Sequence, residues 1–134
     1  MHLEHPDILV ETLRERIPSL LAVYLFGSAS SGLTHPESDI DVAILAGRPL
    51  DPAALWETAQ AVAQRLGRDL DLVDLDAASA VMRMQIVGNG TRLFCADRPR
   101  CEAFEDFVYS DFARLNEERA GILEDVARRK KVHG

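Results

Sequence analysis

Apolar side chains recur along this chain in two periods, and the points where the period changes delimit its elements. Over residues 6–17, Ile8, Leu9, Leu13 and Ile17 fall at helical intervals, with Pro6 suited to a first turn. Pro18-Ser19 ends that helix, and an apolar run, Leu20–Phe26, predicts a first strand. Gly27-Ser28 turns out of it into a short helical turn near Ser28–Ser31 and a loop over Gly32–Glu37. A second strand follows over Ile40–Leu45, stopped by Ala46-Gly47-Arg48-Pro49. Asp51 and Pro52 open a helix to Leu66 with Leu55, Val62 and Leu66 as its apolar stripe, and Trp56 is expected to pack. Alternation in Asp69–Asp76 predicts a third strand. Ala77–Val87 reads as a helix ended by Gly88-Asn89-Gly90, and Thr91–Ala96 as a short strand. From Pro99 to Lys131 the pattern is one long helix, with Phe104, Phe107 and Phe112 on its apolar side. Such a helix overhangs a small body, and an apolar overhang would be a partner surface.

The chemistry gathers where the first two strands meet. Strand side chains alternate faces, so Asp39 and Asp41 project from one side while Ile40, Val42 and Ile44 project from the other. Two carboxylates ~7 Å apart along one strand can converge on a divalent cation. At ~5 Å their repulsion is roughly 3 kcal/mol for an effective dielectric near 20, which makes the pair awkward without a cation between. Gly27 allows a tight turn and close backbone approach, and Ser28 adds a hydroxyl at a helix start that favours anions. A phosphate-holding turn beside two metal-binding aspartates points to nucleoside triphosphate chemistry.

The spacing G-S-x10-D-x-D, within Leu25-Phe-Gly-Ser and Ser38-Asp-Ile-Asp, resembles the signature of the polymerase-β-type nucleotidyltransferase superfamily. Over about residues 5–96 the chain is similar to its minimal nucleotidyltransferase (MNT) branch, which includes the antitoxins of HEPN/MNT toxin–antitoxin pairs. The resemblance implies an α/β (α+β) fold: a small mixed β-sheet flanked by helices, with the long C-terminal helix at about 99–131. It implies a third carboxylate from a later strand beside the Asp-x-Asp strand, and Asp71 in Leu70–Leu75 is the residue that matches; Asp69 is its neighbour on the same face. Asp39, Asp41 and Asp71 would then be the catalytic and metal residues for two Mg²⁺ ions, with Gly27, Ser28 and Ser38 contacting the nucleotide. One departure stands out: many relatives carry arginines after the Gly-Ser, where this chain has Ala29, Ser30 and Ser31.

Composition narrows the rest. At 134 residues the chain is expected to form one domain, and 47% hydrophobic with 28% charged residues is ordinary for a globular protein. A net charge of −7 argues against general duplex-DNA binding, whose affinity comes largely from cations on phosphates. Cys95 and Cys101 lack companion ligands at zinc spacing and read as ordinary free thiols; His35 reads as a solvated loop residue. The basic run Arg128-Arg-Lys-Lys reads as a solvated helix end that complements the dipole. Neither a secretory signal nor a membrane-length apolar run is present, so the cytoplasm is the expected compartment.

The resemblance implies transfer of AMP from ATP to a tyrosine hydroxyl of a cognate HEPN RNase toxin, as the antitoxin of a type VII-like pair, in a homo- or hetero-oligomer. Two alternatives stay open: a catalytically idle antitoxin acting by occlusion, favoured by the missing arginines, and an adenylyltransferase for a small molecule such as an aminoglycoside.

Overall fold

In a computed structural model, the structure describes residues 3–27 and 39–133, apart from the side chains of 130–133. The helical turn and loop expected over 28–37, with His35, therefore lie outside the described residues. The elements run α1 (Pro6–Arg16), β1 (Ala22–Phe26), β2 (Ile40–Leu45), α2 (Pro52–Leu66), β3 (Leu70–Asp74), α3 (Ala80–Asn89), β4 (Thr91–Cys95) and α4 (Arg98–His133).

The strands form one mixed sheet in the order β3-β2-β1-β4. β1 pairs antiparallel with both β2 and β4, whereas β3 lies parallel to β2. That parallel pair needs a crossover, and α2 supplies it. Alternation assigns each strand face to one of two apolar layers. Val23, Leu25, Val42 and Ile44 face a layer that includes Leu9 and Leu13 of α1 and Val62 of α2. Tyr24, Ala43 and Leu45 face the other, with Ile86 of α3 and Cys101 of α4. β1 and β2 are covered on both sides, which is why their sequences are nearly continuous apolar runs.

Several local readings shift. β1 begins at Ala22 rather than Leu20, although Leu21 still donates to Leu45 O and accepts from Ala96 N. α3 begins three residues later than expected. The Asp74 carboxylate accepts from the Asp76 backbone N–H in a turn, and Ser79 then caps the helix through Met82 N. Gly88 and Asn89 stay helical, because the helix runs on until Gly90 meets β1. Asp51 occupies the N-cap of α2 without a side-chain capping bond. Trp56 does not pack: it is 65% exposed on α2. Phe107 is half exposed, with the Arg83 guanidinium 5.8 Å from its ring centroid. Cys95 and Cys101 are free thiols lying side by side, Sγ to Sγ 2.9 Å. Burial, then the hydrogen bond with Cys95, pushes the Cys101 thiol up to about 11, so it packs as a neutral group at neutral pH.

Candidate active site at the carboxylate end of the sheet

The antiparallel register of β1 and β2 sets Phe26 opposite Asp41, so the exit of β1 and the entry of β2 share one end of the sheet. The parallel register of β2 and β3 then sets Asp71 directly beside Asp41, and Ile40 N donates to Asp69 O to start that ladder. Asp41 and Asp71 alternate with Ile40, Val42, Leu70 and Leu72, which belong to the α1/α2 layer; both carboxylates therefore project toward the α3/α4 side. Asp39 stands just before β2, exposed; Asp71 is exposed and Asp41 half-buried. Asp69 lies just outside β3 and is not among the groups that perturb Asp41.

The electrostatics follow from that packing. Burial raises the Asp41 carboxyl above its ordinary 3.8, and the charges of Asp71 and then Asp39 raise it further. Asp41 thus sits within reach of both neighbouring carboxylates. Among the described residues, no three acidic, histidine or cysteine side chains form a preassembled cation cage. As a donor set the three aspartates are hard oxygens with unneutralised mutual repulsion, which fits a hard divalent cation rather than a soft metal.

Gly27 ties the turn to this cluster. It has φ +70°, and a Cβ built there would overlap the Asp41 carboxylate oxygen Oδ2. The backbone leaving β1 therefore passes directly against Asp41, which only glycine permits. Ser28 and Ser38, and the Ala29–Ser31 stretch where relatives often have arginines, lie outside the described residues. A positioning residue that the sequence pattern had marked only as a helix stop is Gly90. An added Cβ would come within 2.5 Å of Ile86 O and 2.8 Å of Leu25 O, so glycine lets α3 close onto the end of β1 next to the turn. A cleft of about 370 Å³ between Ile17–Ser19 and Arg48–Leu55 lies at the opposite end of β1 and β2 and includes none of the three aspartates.

The raised Asp41 carboxyl makes a pH prediction. Folded chain binds that proton more tightly than unfolded chain, so metal-free stability rises as pH falls through the folded value and gains no more below 3.8. Above the folded value the charge penalty is present in full. Asp41→Asn should therefore melt higher than the native chain at pH 7 without metal, and the two melting temperatures should converge below about pH 4. A constant difference across that range would contradict the coupling.

The profile of the family described as "Polymerase beta, Nucleotidyltransferase" matches residues 8–99. The chain is 43% identical over 118 residues to the protein adenylyltransferase MntA of Shewanella oneidensis, covering 88% of this chain and 84% of that one. A crystal structure of a toxin–antitoxin with AMP-PNP superposes with a TM-score of 0.82 at 41% identity, over 92% of this chain and 98% of that chain. A structure of the tri-AMPylated Shewanella oneidensis HEPN toxin in complex with MNT antitoxin superposes at 0.75 and 40% identity, over 90% and 94%. Among the described residues no helix is long and apolar enough to cross a membrane. With the family profile matched over residues 8–99 and a relative 43% identical across most of both chains, the chain belongs to the polymerase-β nucleotidyltransferase family.

Proposed function

We propose that this chain is an Mg²⁺-dependent protein adenylyltransferase that transfers AMP from ATP to a tyrosine hydroxyl of a cognate HEPN toxin, and so acts as its antitoxin in the cytoplasm. The observation that carries this reading is the meeting of Gly27 with Asp41 and Asp71 at one end of the sheet. Similarity to an adenylyltransferase and to AMP-PNP and AMPylated-toxin complexes supports the choice of nucleotide and acceptor.

Asp39, Asp41 and Asp71 would hold two Mg²⁺ ions, which when bound neutralise the triphosphate and favour the ionised acceptor oxygen. The chain's own part is positioning. The Gly27 turn, with Ser28 and Ser38, holds the triphosphate tail so that the α-phosphorus faces the acceptor. The tyrosine oxygen forms a bond to that phosphorus as the bond to the bridging oxygen breaks, and pyrophosphate leaves with the electron pair. Asp71, exposed on β3, takes the phenolic proton. Two of the carboxylates, Asp41 and Asp71, are carried by paired strands, so little reorganisation is needed at the moment of transfer.

The test is incubation of the purified chain with α-labelled ATP, Mg²⁺ and the cognate HEPN protein. Label on the toxin, with loss of its RNase activity, is the expected result. Toxin inhibition without label would mean occlusion, and label on a small molecule instead would mean another acceptor class; either overturns the proposal.

A further inference from the structure

α4 is much longer than the body it packs on, and its direction is fixed by two contacts. Cys101 lies beside Cys95, which pairs with Ala22 at the start of β1. Glu105 forms an ion pair of 2.9 Å with Arg92, which pairs with Tyr24 further along. The helix thus climbs from the start of β1 toward its Phe26–Gly27 end, where the carboxylates stand. Val108 is its last buried residue, and from Asn116 to Arg129 every position except Asp125 is exposed. At 1.5 Å per residue, 116–133 is ~27 Å of helix projecting past the carboxylate end.

The apolar stripe of α4 does not stop where the body stops. At ~100° per residue, Cys101, Phe104 and Val108, which face the body, define a narrow stripe. Phe112 and Leu115, half-buried, continue it. Ile122, Leu123 and Val126 fall within the same ~100° arc, yet are 63%, 68% and 42% exposed. The stripe faces the side of the sheet from which Asp41 and Asp71 project, and its free part extends beyond the end of the sheet that carries them. Ion pairs along the helix, Arg114 with Asp111 and Glu118 and Arg129 with Asp125, support the rod where the body no longer does.

We infer that the free stripe of α4, centred on Ile122, Leu123 and Val126, is the docking surface for the acceptor protein. Its occupant is the toxin named above, whose tyrosine must reach the end of the sheet that carries Asp41 and Asp71. The inference rests on that reading for the partner's identity. The stripe is a continuation of a helix face that is core lower down, which sets it apart from a scattered exposed apolar residue such as Trp56 on α2.

The experiment compares the native chain, Ile122→Glu with Leu123→Glu, and Trp56→Ala, measuring affinity for the purified cognate HEPN toxin by calorimetry, AMP transfer, and ATP affinity. The double variant should bind the toxin at least ~30-fold more weakly, the loss typical of buried apolar anchors. Its KM for toxin should rise in parallel, while ATP affinity and melting temperature match the native chain. Trp56→Ala should change none of these. Native toxin affinity in the double variant would overturn the inference, as would a native chain that is dimeric alone and is merely split by these substitutions. Lost toxin binding with no label transferred even by the native chain would keep the docking surface and fail the transferase reading.

Discussion

Replacing Asp39 and Asp41 together by alanine should lower AMP transfer at least ~1,000-fold, since losing ~4 kcal/mol of transition-state charge stabilisation has that effect. The size follows from what the two side chains do. Asp41 lies beside Asp71 in the β2–β3 register with Asp39 just before the strand, and the ladder runs through main-chain atoms that the substitutions leave in place. The fold should therefore survive. Removing a half-buried carboxyl raised by burial and like charges should leave the metal-free melting temperature equal or higher. Retained transfer by a folded double variant, followed with α-labelled ATP, would remove these residues from the chemistry.

Gly27→Ala should damage the same site by another route. The residue holds φ +70°, a conformation that costs an L residue roughly 1–2 kcal/mol, measurable by urea denaturation. The added Cβ would also overlap Asp41 Oδ2, so the carboxylate or the turn must move. A displacement of ~1 Å in a positioning site costs on the order of 100-fold in rate. Transfer should fall by about that factor while ATP still binds. A variant with native activity, and only the stability loss, would mean that the close approach of turn and carboxylate has no catalytic role.

Much of this architecture is written locally. β2 and α2 fall where the punctuation puts them, because Pro49, Pro52 and Gly67 bracket strong apolar periods. Asp71 could be matched to a third carboxylate only through the family resemblance, because Asp69 and Asp71 share a face and registers two residues apart bury the same apolar side; the parallel β2–β3 pairing sets Asp71 beside Asp41. What was not legible depends on tertiary contact. Gly88-Asn89 looks like a helix stop, but α3 persists through it until Gly90 reaches Leu25. Trp56 looks like core by type, yet the Leu55–Val62–Leu66 stripe already fills the contact and leaves the indole outside. Phe107 counts toward an apolar face by spacing, but it sits at the edge of the stripe, where Arg83 covers part of its ring. The length of α4 predicted an overhang, but its direction past the carboxylate end needed the position of the body, which no period in one helix can supply.

The most direct measurement is of cation number: Mn²⁺ bound per chain, by electron paramagnetic resonance, in the presence of a non-hydrolysable ATP analogue. Two ions per chain are expected, with one or both lost in Asp41→Asn. A single ion that accompanies the nucleotide and is unaffected by that substitution would contradict the assignment of the three aspartates.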